Sequence, residues 1–211
     1  MSLEKYRKKR NFKRSAEPYG RIKRNKQLIY SIQKHAASHL HYDLRLEFNG
    51  VLKSWAIPKG PSLDNSIKRL AVQVEDHPIE YAKFEGIIPK GEYGGGTVML
   101  WDVGTWICEN ENANSAYKKG HLSFILKGKK LKGVWNLVHI KNNPKNWLFI
   151  KGKDKYAQSE RQYDITHAKP NSVLSRRSLQ GIAKKFQIDL PNKSKIIKKT
   201  SKNFHLSKTK K

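Results

Sequence analysis

The chain has 211 residues, enough for one substantial domain plus tails, and its apolar residues (37%) cluster between about Leu28 and Ile150. Lys and Arg number 44 against 17 Asp and Glu, for a net charge of +27, and so basic a surface repels itself unless it meets a polyanion, nucleic acid before an anionic membrane. The lone cysteine, Cys108, excludes an internal disulfide, and with no apolar leader, no run of about 18 apolar residues and no lipidation motif the expectation is a soluble protein of the reducing cytoplasm, without a membrane partner.

Residues 1–26 read as a basic arm, with Glu4 and Glu17 as its only acids. Such a stretch is either flexible or laid over the rest. Residues 27–167 read as the folded domain. Leu28–Gln33 predicts a strand. It leads into Leu40–Phe48 and Val51–Ile57, separated by Asn49-Gly50. Asn-Gly between alternating apolar runs predicts a hairpin, since both residues tolerate the positive φ of a type I′ turn.

Further along, Arg69–Glu75 alternates as a strand and Asp76-His77-Pro78 ends it; the proline disfavours helix at His77. The stretch from Gly86 to Trp106 has glycines at 86, 91, 94, 95, 96 and 104 but neither the phosphate-loop nor the dinucleotide-binding pattern. Gly94–Gly96 therefore predicts a bulge or tight bend before a strand over Thr97–Trp101. Leu122–Leu126, Val134–Ile140 and Trp147–Ile150 complete the strands, and Tyr156–Tyr163 reads as a short helix or loop. Residues 168–211 form a Lys-rich tail with no acid after Asp189 and a short helix near Ser178–Phe186. The spacing predicts a mainly β fold, an antiparallel barrel or strongly curved sandwich with short peripheral helices and basic tails.

The hairpin carries the chemistry. Side chains two apart on a strand share a face, so His41, Asp43, Arg45 and Glu47 lie on one side and Tyr42, Leu44, Leu46 and Phe48 on the other. A two-residue turn places Asp43 opposite Ala56 and Arg45 opposite Ser54, small partners that leave space above the polar face. Two imidazoles and a carboxylate suit a divalent transition metal. His41 and Asp43 with His35, just upstream, are the simplest set, and His39 competes because it shares the parity of His41. Arg45 can hold a phosphate bidentately beside such a centre. His77 can donate a hydrogen bond or a proton to it, and Tyr81 can add a phenolic donor. A rival set, His41 and Asp43 with His77 or His139, has the look of an iron oxygenase triad. A third reading is a basic nucleic-acid-binding or recruiting barrel with no turnover.

The segments QKHAASHLHYDLRLEFNGVLKSWAIPKGPSLD, KRLAVQVEDHPIEYAKFEGIIPKGEYGGGTVMLWDVGTW, LKGVWNLVHI and NWLFIKGKDKYA, together spanning about Gln33 to Ala157, resemble the 3′-phosphoesterase module of bacterial DNA ligase D and its stand-alone relatives. The N-terminal KRNFKRSAEP resembles the family's basic arm. The resemblance implies a barrel-like phosphoesterase that prefers manganese, with zinc or cobalt also suited to the ligands. It implies a primer–template substrate, removal of a 3′-terminal ribonucleoside and then of the 3′-phosphate, and a 3′-hydroxyl left for break repair. It further implies that His35, His41 and Asp43 hold the metal, that Arg45, His77 and Tyr81 contact the scissile phosphate, and that Gln33, Glu75, Arg10 and Glu17 are supporting substrate-site positions. A DNA ligase and end-binding repair proteins would be partners, and the location nucleoid-associated. Asn11 stands where the family usually has an acid, Ser15-Ala16 where it has Thr-Pro, and His39 where a basic residue is common. No adenylation motif KxDG is present, since no Asp precedes a Gly.

Overall fold

A computed structural model describes residues 2–189. In chain order its elements are helix α1 (Glu4–Lys8), β1 (Ile29–Ala36), β2 (Leu40–Phe48), β3 (Val51–Ile57), β4 (Lys68–Gln73), β5 (His77–Pro78), a 3₁₀ turn (Ile79–Lys83), β6 (Gly86–Ile88), β7 (Gly96–Cys108), α2 (Ala113–Lys119), β8 (His121–Gly128), β9 (Lys132–His139), β10 (Asn146–Lys151), α3 (Ile165–Ala168) and α4 (Leu179–Asp189). The sheet runs β1-β2-β3-β4-β10-β9-β8-β7, and β7 pairs back onto β1, which closes eight antiparallel strands into a barrel. β5 adds to β3 and β6 to β7 outside the ring. The mainly β, barrel-like expectation therefore holds.

The hairpin forms over the predicted residues. Asn49 and Gly50 have φ of 47° and 86°, as a type I′ turn needs. Asp43 faces Ala56, Arg45 faces Ser54 and Leu44 faces Trp55 in the register expected. Other boundaries move. β1 runs to Ala36 rather than Gln33, because it is paired on both sides, with β2 and with β7. β7 runs to Cys108 rather than Trp101, long enough to serve β6, β1 and β8 in turn. Helix α2, absent from the sequence reading, starts at an Asn112 side chain capping Ser115 N and ends at Gly120 with φ 78°. The stretch Tyr156–Tyr163 is turn and loop, and the nearby helix is α3.

The barrel interior is aromatic. Trp55, Trp106, Trp135, Trp147, Phe124 and Phe149 are buried there with Leu44 and Leu46, and Trp135 stacks on Phe149 with centroids 4.5 Å apart. Ile182 of α4 joins this core. Residues 190–211, half of the predicted Lys-rich tail, lie outside the described residues. Among the described residues no helix is long and apolar enough to cross a membrane.

A second, smaller core sits outside the barrel wall. Tyr6, Leu52, Ile79, Tyr81 and Ala82 are buried together, with Phe12, Ile29 and Phe84 packed against them. The arm is laid over the barrel here. Tyr6 packs on His77 and Tyr81, and its hydroxyl donates to Pro18 O at 2.6 Å. Lys23 N reaches Gly50 O at the hairpin turn. The outward faces of β1, β2 and β3 are thereby roofed, and His35, Asp43, Arg45 and His77 lie between wall and roof.

Candidate metal and phosphate site

Strand pairing brings the three expected ligands together. His35 on β1 faces His41 on β2, and Gln33 faces Asp43. One ligand atom from each of His35, His41 and Asp43 falls within 4.8 Å of the others. His35 Nδ1 lies 3.6 Å and His41 Nε2 3.7 Å from the Asp43 carboxylate.

Backbone carbonyls fix which imidazole nitrogen is free. His35 Nε2 donates to Gly94 O at 2.9 Å, and His41 Nδ1 donates to His39 O at 2.9 Å. A carbonyl only accepts, so each of these nitrogens carries the hydrogen and the opposite one keeps its lone pair. Both lone pairs then sit beside Asp43. An imidazole N–H held by a carbonyl is the usual support of a metal-ligating histidine, so the donor set fits a divalent ion. His39 contributes its carbonyl and keeps its own side chain exposed.

Asp43 is buried, which by itself raises its pKa. The Arg45 charge beside it outweighs that, and the pKa falls to about 2. The carboxylate is thus ionised and ready to bind a cation.

Arg45 is 3% exposed and held from three sides. Nε donates to Gln33 Oε1 at 2.7 Å, Nη1 to Ser54 Oγ at 2.9 Å and Nη2 to Asp43 Oδ2 at 3.3 Å. Its guanidinium also lies 4.6 Å from the centroid of the Tyr81 ring. Of five N–H donors, one on each Nη remains unspent. Gln33 in turn donates through Nε2 to Tyr81 O and Phe84 O, tying the 3₁₀ turn to the barrel wall.

The arm supplies the roof. Arg10 Nε pairs with Glu17, Nη1 with Glu75 at 2.8 Å and with Tyr6 O, and Nη2 donates to His77 Nε2 at 3.1 Å. Glu17 also accepts from Ser15 Oγ and from Tyr81 Oη. Asn11 caps a local turn by accepting from Lys13 N.

These contacts alter three sequence expectations. His77 Nδ1 donates to Glu75 O while Nε2 accepts from Arg10, so the ring is neutral. Burial pushes its pKa well below the ordinary value, and the charges of Arg45 and Arg10 push the same way. In this arrangement its single N–H is spent on Glu75 O and its other nitrogen accepts from Arg10. The Tyr81 hydroxyl, expected to point at phosphate, is turned onto Glu17. Gln33, Glu17 and Glu75, expected to touch substrate, spend their polar groups on Arg45, Arg10, Tyr81 and Lys9.

The oxygenase triad does not assemble. His35 completes the cluster with His41 and Asp43, while His139 on β9 packs its ring on Trp147. Gly94, Ser54, Lys9, Tyr6 and Tyr93 were missed as site-building residues. Of these, the Gly94–Gly96 run left a sequence signal that read as a bend, and Ser54 was placed opposite Arg45 as a small partner rather than as its hydrogen-bond acceptor.

His35, Asp43, Arg45, His77, Tyr81 and Tyr93 all line one cleft of about 280 Å³. It offers an ionised carboxylate, two free imidazole nitrogens and an Arg with two N–H groups to spare. That combination can hold a divalent cation next to a phosphate.

A family model described as the DNA Ligase D 3′-phosphoesterase domain matches residues 33–139. The chain is 50% identical over 182 residues to the multifunctional non-homologous end joining protein LigD of Pseudomonas aeruginosa, covering 84% of this chain and 22% of that protein. It is 38% identical over 164 residues to the multifunctional non-homologous end joining DNA repair protein LigD of Mycobacterium tuberculosis, covering 77% of this chain and 21% of that one. The chain spans about a fifth of the length of these relatives.

Proposed function

The chain belongs to the DNA ligase D 3′-phosphoesterase domain family, and from that premise we propose that it is a metal-dependent phosphoesterase that heals DNA 3′ ends, removing 3′-terminal ribonucleosides and 3′-phosphates to leave a 3′-hydroxyl for ligation in end-joining repair. The observation that carries this reading is the orientation of the two imidazoles. Each is locked by a backbone carbonyl so that its lone pair meets the ionised Asp43, directly beside Arg45. The Arg45 guanidinium beside these ligands is the bidentate partner that a phosphate requires.

In this reading His35 Nδ1, His41 Nε2 and Asp43 hold the ion, manganese first with zinc or cobalt as alternatives. When bound, it supplies Lewis-acid polarisation of a phosphate oxygen and an activated water. Arg45 presents its two unspent N–H groups to the phosphate oxygens on which charge builds. Gln33 and Ser54 fix the plane of that guanidinium. Glu17, Glu75 and His77 fix Arg10, which keeps one N–H of its own. Tyr81 acts through its ring against Arg45 and its hydroxyl on Glu17. The leaving-group proton is not drawn from His77. A ligase that consumes the 3′-hydroxyl and end-binding repair proteins are the partners this reading calls for, and a DNA substrate is what supports a location at the nucleoid in the cytoplasm.

The test is product formation on primer–templates ending in a 3′-phosphate or a 3′-ribonucleotide. Wild type with Mn²⁺ should yield 3′-hydroxyl ends, EDTA should abolish them, and Asp43→Ala and Arg45→Ala should each lose activity by about 100-fold or more. Turnover that persists in EDTA would sink the reading. Salt-sensitive DNA binding with no product under any metal would favour a non-catalytic barrel instead, a reading that the charge of +27 also supports.

A further inference from the structure

A second, larger cavity of about 650 Å³ adjoins the cleft, and the two share Glu75 and Tyr93 as a common wall. Four lysines, Lys5, Lys9, Lys53 and Lys145, line it beside three acids, of which Glu4 is paired with Lys8 outside it. Lys9 is paired with Glu75 and Lys53 with Asp76. Lys5, on α1, and Lys145, just before β10, are in no ion pair among the described residues. The groove that leaves the phosphate cleft thus passes Tyr93 and meets two uncompensated ammonium groups from separate parts of the chain.

Tyr93 is unlike the other aromatics of the site. Tyr6 and Tyr81 are buried, whereas Tyr93 is 48% exposed. It is nonetheless held. Its loop is closed by Glu92 N on Pro89 O and Gly95 N on Glu92 O. The next residue, Gly94, carries the carbonyl that fixes His35. Lys9 donates to the Tyr93 hydroxyl at 3.1 Å and lies 4.4 Å from the ring centroid, with the Arg10 guanidinium at 5.3 Å. An aromatic face fixed in solvent beside a phosphate site, with cations around it, has the chemistry that single-stranded nucleic acid uses for stacking.

We propose that Tyr93 is the stacking platform for the last base of the DNA strand whose 3′-phosphate enters the cleft, and that this strand's backbone leaves along the groove past Lys5 and Lys145. The proposal rests on the phosphoesterase reading and deepens it: the phosphate is gripped at Arg45, while the nucleoside that bears it is positioned by Tyr93.

The experiment titrates an oligonucleotide ending in a 2-aminopurine nucleoside 3′-phosphate with wild type, Tyr93→Phe, Tyr93→Leu and a Lys5→Ala/Lys145→Ala double variant. EDTA is present, so no turnover intervenes. Wild type and Tyr93→Phe should quench the terminal base. Tyr93→Leu should lose the quench and bind about tenfold more weakly. The double variant should keep the quench but bind about tenfold more weakly at low salt, with a shallower salt dependence. A full quench and affinity within twofold of wild type in Tyr93→Leu would overturn the stacking role. An unchanged salt dependence in the double variant would overturn the groove path. Product formation by wild type on unlabelled substrate with Mn²⁺ is scored separately. If no 3′-hydroxyl ends form while the Tyr93-dependent quench holds, the phosphoesterase reading falls and the stacking site stands.

Discussion

At Asp43, burial and charge oppose one another, and charge wins because the Arg45 guanidinium lies against the carboxylate. Its folded pKa of about 2 lies below the ordinary 3.8. The ionised group therefore contributes stability above about pH 4, and this is lost as pH falls through 4 towards 2. The contribution is roughly 2 kcal/mol. Urea unfolding in EDTA should show Asp43→Asn less stable than wild type at pH 6 by about that amount, with the gap closing as pH approaches 2. A gap independent of pH would contradict the ion-pair account. Arg45 makes a sharper case. One Nζ cannot meet Gln33, Ser54 and Asp43 together, so Arg45→Lys should behave as a severe variant. We expect kcat/KM on a 3′-phosphorylated primer–template to fall about 100-fold, measured at a temperature where circular dichroism shows the variant folded. The common face of His41, Asp43 and Arg45 was legible from strand parity. The tautomers were not, because the carbonyls that set them belong to Gly94 and His39, and one of these lies 59 residues away from its histidine.

Among the elements, the β1–β2–β3 wall and the glycine loop before β7 decide whether the site exists. β1 outruns its predicted end by three residues, and that extension carries His35 onto a strand facing His41. Sequence alternation stopped the strand at Gln33 because Lys34 and the small Ala36 and Ala37 gave no apolar signal. Pairing with two neighbours supplied the missing stabilisation. Gly96 makes that pairing close. Its φ is 150°, and a Cβ there would stand 2.1 Å from Ala36 O. Gly96→Ala should therefore force β7 away from β1 at the histidine. The expected result is a loss of about 2 kcal/mol or more in stability, together with about tenfold weaker Mn²⁺ binding by calorimetry. Unchanged metal affinity would mean that His35 does not depend on this contact. Along β1, alternation sends Ile32 to the barrel interior and Gln33 and His35 to the side of Asp43 and His41, while the register against β7 shifts between Ile32 and Gln33.

The whole molecule is a closed aromatic barrel with a roof made by its own N-terminal arm. The second core around Tyr6 and the Arg10 network show why the arm stays down: cations and apolar rings are buried together with Glu17 and Glu75. The excess positive charge acts at this scale too. DNA affinity should fall at least about tenfold between 50 and 200 mM salt, the slope of log Kd against log salt reporting the number of phosphates engaged. Affinity that barely responds to salt would deny the charge any part in binding. Local signals in the sequence determined the hairpin, its turn, its register, the mainly β class, and the polar face of β2. Each depends on near neighbours along the chain, which alternation and turn chemistry record directly. The tertiary structure alone decided which imidazole nitrogens of His35 and His41 face Asp43, that His77 is neutral and bonded to Arg10, that Tyr81 turns to Glu17, and that Tyr93 stands open at the mouth. Those outcomes depend on contacts between segments tens of residues apart, where burial and charge balance are set by packing and leave no periodic trace in the chain.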